Sequence, residues 1–188
     1  MKTHSNKEVI ANVTGDVYRA AFECRAKNDP RYYLEGLLLD RGNLVGTNGH
    51  ILYVGPADMQ DGFEEDIIFE APKIPASIVE VVILPAENKK WITLRLLKKN
   101  GDERMLMVKV IEGRYPDYKS IKEMKTKKKP MTRFGFNAGY LQTLATIFGK
   151  EANLEFYMPN NGSPAHITSF EGGKQRPGVA ILMPVRLP

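Results

Sequence analysis

Three stretches of this chain repeat one order of elements (strand, helix, then two or three strands), and that repetition limits the fold more than composition does. The period is about 55–60 residues with one helix per unit, the mark of a repeat architecture. A unit of that size cannot bury its own core, because one helix laid on an open antiparallel sheet leaves apolar surface bare. Two units solve this by pairing their helices and joining their sheets. Three units leave one helix over, so an odd count predicts a partner surface from another chain.

The first stretch runs from Glu8 to Gln60. Thr14-Gly15-Asp16 starts a helix with an acidic first turn, and the helix is expected to reach Lys27. Val17, Ala21 and Cys24 line its apolar face, and Asn28-Asp29-Pro30 stops it. Tyr33 to Asp40, Asn43 to Thr47 and Ile51 to Val54 read as strands, with the hairpin signal Asn48-Gly49 between the last two.

The second stretch, Asp66 to Tyr118, opens on a strand. Pro75 suits a first helical position, and Ile74, Ile78, Val81 and Val82 give a helix-spaced apolar face, though the segment is rich in β-branched residues. A hairpin of Trp91 to Leu97 and Arg104 to Ile111 follows. The third stretch, Met131 to Pro188, has a strand at Arg133 to Phe136, a helix capped by Asn137 and ended by Gly149, and strands at Leu154 to Met158, Ala165 to Phe170 and Val179 to Leu187. Residues 122–130 form a basic, proline-terminated linker.

Charge and motifs narrow the function classes. Lys and Arg number 27 against 22 Asp and Glu, a net charge of +5 that suits a polyanion partner. No apolar run approaches the roughly 18 residues of a membrane span, and the N-terminus lacks a secretory signal. The single cysteine excludes an internal disulfide, so a cytoplasmic setting is expected. Neither Gly46-Thr47-Asn48-Gly49-His50 nor Gly172-Gly173-Lys174-Gln175 continues into a P-loop. His4, His50, His166 and Cys24 lack metal-ligand spacing, and Cys24 reads as a core thiol. The chain is therefore not expected to be an enzyme, and no cofactor or metal is expected.

Three segments are more specific than composition. Arg31-Tyr32-Tyr33-Leu34-Glu35-Gly36, followed by Gly46-Thr47-Asn48-Gly49-His50, resembles the middle domain of the bacterial DNA polymerase III beta subunit, the sliding clamp family. Gly113-Arg114-Tyr115-Pro116-Asp117-Tyr118 resembles the end of that domain, and Met183-Pro184-Val185-Arg186-Leu187 the end of the family's last domain. They stand in the family's order. The resemblance implies an α+β DNA-clamp fold, with antiparallel sheets outside and helices inside, shortened to about one and a half clamp domains. Residues 1–121 would form a complete clamp-like domain and 131–188 a half-domain.

It also implies a function. Clamps encircle duplex DNA without reading sequence and tether polymerases, whose short motifs of apolar and Gln residues dock between the middle and last domains. Carried over, that cleft is lined by Leu34, Thr47, Gly49, His50, Leu52, Pro116, Ile121, Met183, Pro184, Val185, Arg186 and Leu187. Arg19, Arg25, Lys27, Lys73 and Lys150, on or beside the helices, are the candidate phosphate contacts. Partners implied are duplex DNA, the clamp-binding motifs of polymerases or a clamp loader, and further copies of the chain in a homo-oligomer. A phage or mobile-element origin suits so short a clamp. The alternative is a clamp-derived module that keeps the cleft, does not encircle DNA, and recruits or sequesters clamp-binding proteins. Asn48 replaces the family's usual Asp, and Ile51 and Ser120 stand at commonly basic positions, so the family's partner preference is not carried over to this chain.

Overall fold

A computed structural model describes residues 9–63, 65–122, 134–158, 162–171, 174–175 and 177–185. Strand β1 (Ala11–Thr14) leads directly into helix α1 (Gly15–Cys24), whose first turn is capped by the Thr14 hydroxyl accepting the Val17 N–H at 3.4 Å. The helix ends three residues before the expected Lys27. Arg25 is extended and the Ala26 N–H donates to the Leu34 carbonyl at 2.9 Å, so the chain leaves the helix to pair with a 3-10 turn at Tyr32–Glu35. That turn also replaces the first residues of the expected strand at Tyr33.

Strands β2 (Gly36–Asp40), β3 (Asn43–Thr47), β4 (Ile51–Pro56), β5 (Asp58–Met59) and β6 (Ile67–Glu70) follow. Helix α1 lies against β3 and β4. Gly46 makes this approach possible: a Cβ there would meet the Ala21 backbone carbonyl.

The helix expected around Ile74 to Val82 does not form. Ile78–Pro85 is strand β7, preceded by one turn closed from the Ile78 N–H to the Pro75 carbonyl at 3.1 Å. The run Ile78-Val79-Glu80-Val81-Val82-Ile83 is almost wholly β-branched and packs on a pleated surface, so strand propensity overrides the helical spacing. β7 pairs with β1 and with β8 (Trp91–Lys98), and β8 with β9 (Glu103–Lys109), giving a five-stranded sheet in the order β5-β1-β7-β8-β9.

After the short helix α2 (Tyr118–Lys122), the described chain resumes at Phe134. Helix α3 (Ala138–Phe148) has the expected Asn137 cap, which accepts the Gly139 N–H at 2.8 Å, and ends at Gly149. Strands β10 (Asn153–Tyr157), β11 (Ala165–Glu171), β12 (Lys174–Gln175) and β13 (Val179–Leu182) complete the chain. Of the strand expected at Arg133 to Phe136, the described part makes only a bridge from Gly135 to Val185.

The third stretch does not stand apart. β13 pairs antiparallel with β4, so one sheet runs β10-β11-β13-β4-β3-β2-β6, with β12 on β11. Its two faces bury different cores. Leu37, Leu39, Leu44, Ile51, Tyr53, Ala180 and Leu182 face the helices, while Leu38, Val45, Leu52, Val54 and Ile181 form a second cluster on the opposite face. Helix α3 packs on α1. With no helix in the second stretch, the two long helices pair within the chain, and the argument for a partner from an unpaired third helix falls.

Candidate functional site

The β4–β13 seam builds the candidate cleft. Leu52 of β4 stands opposite Ile181 of β13, both almost fully buried, and Tyr115, Tyr33, Ile111 and Val179 pack against their cluster. At the end of the seam the Met183 N–H donates to the His50 carbonyl at 3.1 Å. Two residues on, the Val185 N–H donates to the Gly135 carbonyl at 2.9 Å. Among the described residues these two backbone bonds pin the tail, and the side chains of Met183 and Val185 are 41 % and 45 % exposed. Apolar side chains held open to solvent on a fixed backbone are what an apolar peptide anchor can cover.

The β3–β4 turn forms one wall. The Thr47 hydroxyl donates to the Ile51 carbonyl at 2.7 Å and accepts the Gly49 N–H at 3.0 Å. The Asn48 side-chain oxygen accepts the N–H groups of His50 and Ile51 at 2.9 and 3.0 Å, so Asn performs the turn-closing role open to Asp. Gly49 has φ +88°, and a Cβ there would lie 3.2 Å from the Arg31 guanidinium, which donates to the Asn48 carbonyl. Arg31 is held in turn by Asp29 at 2.8 Å, and these hydrogen bonds depress the Asp29 carboxyl to about 2. The His50 ring stacks on Tyr140 of α3, centroids 5.9 Å apart.

The remaining wall is the segment after β9. Its anchor is Asp40, nearly buried at the end of β2, which accepts from the Tyr118 hydroxyl at 2.9 Å and from the Lys119 ammonium at 2.7 Å. Burial alone would raise the Asp40 carboxyl, but the hydrogen bonds from Lys119 and Tyr118 outweigh it and hold it below its ordinary range. Asp66 is shifted the other way, by desolvation and by the Asp40 carboxylate beside it. Burial raises the Tyr115 and Tyr118 phenols well above their usual range, so both stay neutral.

Of the predicted cleft residues, the structure brings together Thr47, Gly49, His50, Leu52, Met183, Pro184 and Val185 along the seam and its turn. Leu34 is fully buried in the 3-10 turn and offers no surface to a ligand. Pro116 lines a depression of about 530 Å³ with Leu38, Asp40, Asp66 and Tyr118, joined to the cleft through Tyr115. Arg186 and Leu187 lie outside the described residues, as does the Ile121 side chain. Sequence reasoning missed Ile181, Tyr115, Tyr140 and Arg31. Ile181 was detectable as the residue two before Met183 on an alternating strand, and Tyr115 sits beside Pro116 in a motif already singled out.

The candidate phosphate contacts are dispersed. The Arg19 guanidinium donates to the Pro75 and Ile78 carbonyls and pairs with Asp16. Arg25 donates to the Ala26 carbonyl and sits 4.2 Å over the Phe22 ring. Lys27, Lys73 and Lys150 are exposed. Helix α3 carries no charged residue, and the charged residues of α1 are Asp16, Arg19 and Glu23. Cys24 is fully buried and burial raises its thiol, as a core residue requires. Among the described residues no group of three or more His, Cys, Asp or Glu could hold a metal ion, and no helix is long and apolar enough to cross a membrane.

Antiparallel sheets joined across a seam, with paired helices on one face and a cleft on the other, define the DNA-clamp fold. Solved DNA polymerase III beta subunits share it: that of Pseudomonas aeruginosa superposes with a TM-score of 0.65 at 17 % identity, over 100 % of this chain and 68 % of its own. That of Thermotoga maritima gives 0.63 at 14 %, with the same coverage. In sequence the chain is similar to the beta sliding clamps of Buchnera aphidicola. One, from the subspecies of Rhopalosiphum padi, is 27 % identical over 136 residues, which is 68 % of this chain and 36 % of the relative. Another, from the Acyrthosiphon pisum subspecies, is 32 % identical over 105 residues, 51 % of this chain and 28 % of the relative. The chain thus matches about a third of the length of these relatives. No family model matches it.

Proposed function

We propose that the chain is a sliding-clamp-like protein, not an enzyme, that captures the clamp-binding segments of polymerases or other replication proteins in the β4–β13 cleft and holds them on duplex DNA. The observation that carries this is the seam itself. Strands far apart in the chain meet there in one register, Leu52 opposite Ile181 and Tyr53 opposite Ala180. They set the turn at Gly49-His50 against the exposed Met183 and Val185. No cofactor enters this reading, and a cytoplasmic setting accords with it. In domain terms, a clamp-like domain over 1–121 supplies the β3–β4 turn and the segment after β9, and a half-domain over 131–188 supplies β13 and the exposed Met183 and Val185.

The second reading, a module that binds clamp partners without encircling DNA, is favoured by the helices. Helix α3 lacks charge, and Arg19 and Arg25 are engaged with backbone carbonyls. The helices themselves carry no basic excess and gain little from phosphate neutralisation, which leaves the exposed Lys27, Lys73 and Lys150 beside them as the candidate contacts. The two readings part on topology. A closed clamp is retained on nicked circular duplex in moderate salt and lost when the circle is linearised. Retention on circles alone supports the first reading; equal, weak retention on both forms supports the second.

A further inference from the structure

The depression of about 530 Å³ beside the cleft has two kinds of lining. Its floor is apolar: Leu38 and Ile68 are buried in the cluster on the cleft face of the sheet, and Ile111 and Tyr115 pack against that cluster. Its polar lining carries four carboxylates, Asp40, Asp66, Glu112 and Asp117, against two cations, Arg114 and Lys119. The Lys119 ammonium is already taken by Asp40 at 2.7 Å. Asp66 and Glu112 are exposed, and among the described residues neither forms an ion pair with a Lys or Arg. The depression is therefore acidic on a chain whose net charge is +5. The segment that walls it is fixed at three points. The Ile111 N–H donates to the Ile68 carbonyl at 2.8 Å, a Cβ on Gly113 would lie 2.8 Å from the Tyr33 Cβ, and the Tyr118 hydroxyl is bound to Asp40. A groove fixed in this way asks little further ordering of the protein when a ligand enters. Tyr115 belongs to both hollows: it packs on the cluster that holds Leu52 and Ile181 of the seam, and it lines the depression beside Pro116.

We infer that the depression receives a basic flank of the segment captured in the cleft, a Lys or Arg whose stem lies on Ile111 and Tyr115 and whose charged head meets Asp66 and Glu112. The inference rests on the cleft reading and adds to it a rule of partner choice. A Lys or Arg side chain matches the mixed lining because its stem is apolar and its head is charged. A bare metal ion does not, since among the described residues no group of three or more His, Cys, Asp or Glu could hold one. A phosphate backbone would meet carboxylates and be repelled. Burial and the neighbouring Asp40 carboxylate raise the Asp66 carboxyl more than Lys119 and Arg41 lower it, and an incoming cation relieves that repulsion. Alternate residues of an extended segment face the same way, so a flank with Lys at every second position presents its cations to one wall. Long-range attraction cannot produce the preference, because the net charge of the chain repels a basic peptide; a local acidic site reverses that sign.

The test titrates the chain into three fluorescent peptides that share one motif of apolar and Gln residues, and reads anisotropy. The first peptide has neutral Ser and Ala flanks. The second carries Lys at alternate positions of the flank before the motif, and the third carries them in the flank after it; a flank of about six extended residues reaches roughly 20 Å. One of the two Lys-flanked peptides is expected to bind about three- to tenfold more tightly than the neutral one at low salt, a gain that shrinks in high salt. The double variant Asp66→Asn, Glu112→Gln is expected to bind the neutral peptide within about twofold of the parent and to lose the gain from Lys. Both substituted side chains are exposed, and an unchanged far-ultraviolet spectrum checks that the variant folds. Binding of the neutral peptide with no gain from either Lys flank overturns the inference and leaves the cleft standing. A gain that the double variant keeps also overturns it, since the cations are then read elsewhere. If no peptide binds, the cleft reading itself fails and the inference falls with it.

Discussion

The Tyr118 hydroxyl donates to the Asp40 carboxylate at 2.9 Å, a bond between residues 78 positions apart that ties the segment after β9 to the end of β2. Tyr118 is 4 % exposed, and its ring belongs to the apolar cluster beneath the cleft. Tyr118→Phe keeps the ring and removes the bond, leaving Lys119 and Asp66 as partners of a nearly buried charge. The expected cost is about 1.5–3 kcal/mol, the range for hydrogen bonds to charged groups, read from urea unfolding. An unchanged midpoint would mean that the segment is held by apolar packing alone.

Asp66 faces the same carboxylate, and its raised value has a consequence for pH. A carboxyl whose folded value lies above its unfolded one contributes stability below the unfolded value and loses it as pH rises through the folded one. Asp40 runs opposite: its depressed value gives stability that is present above the ordinary carboxylate range and lost as pH falls through the folded value. Asp66→Asn removes the repulsion at neutral pH and keeps Asp40 intact. The variant is expected to melt about 1–3 °C higher than the parent at pH 7, a small gain because Asp66 is exposed to screening solvent. The gain shrinks as pH falls through the raised Asp66 value, below which Asp66 is protonated in the parent as well. Melting curves across that range check both sign and window.

Two glycines test the placement of α1 and of the turn. Gly46→Ala drives a Cβ into the Ala21 carbonyl, where neither backbone can yield, so a loss of about 3 kcal/mol or more is expected. Gly49→Ala meets a flexible arginine instead, but at φ +88° it pays for a left-handed backbone, and about 1–2 kcal/mol is expected. Thermal unfolding of the two variants should rank them in that order.

Much of this architecture was legible in the chain. Thr14 and Asn137 cap the helices they were expected to cap, because a short side-chain oxygen before an apolar-periodic run has few better uses. The hairpin β8–β9 and the strand at Leu154 follow from alternation. The helix expected over Ile74 to Val82 failed because spacing alone cannot separate a buried strand from a helix face, and the β-branched side chains decided the matter. That failure removed the odd helix and with it the first reason to expect a partner. The cleft was legible only in part. Met183 and His50 stood in recognisable motifs, but the backbone bond between them depends on the β4–β13 register, and the stacking of His50 on Tyr140 depends on where α3 lands. Neither is a property of local sequence. Leu34 was misjudged as a surface for a partner because its complete burial cannot be read from a motif.

The seam predicts its own sensitivity. Ile181→Ala truncates a side chain that is 2 % exposed opposite Leu52, and a loss of about 2–4 kcal/mol is expected for a cavity in that cluster. Met183→Ala, at a residue 41 % exposed, should cost less than about 1 kcal/mol. Urea unfolding of the pair separates a residue that holds the seam from one that is free to meet a ligand.

That separation sets up the most direct test of the cleft. A fluorescent peptide carrying a clamp-binding motif of apolar and Gln residues is titrated with the chain and with Met183→Ala and Val185→Ala, and anisotropy is recorded. Saturable binding by the chain, weakened about tenfold or more by either variant at unchanged stability, is the predicted result. No saturable binding by the folded chain, or binding that both variants leave intact, would contradict the claim that the β4–β13 cleft is the working site.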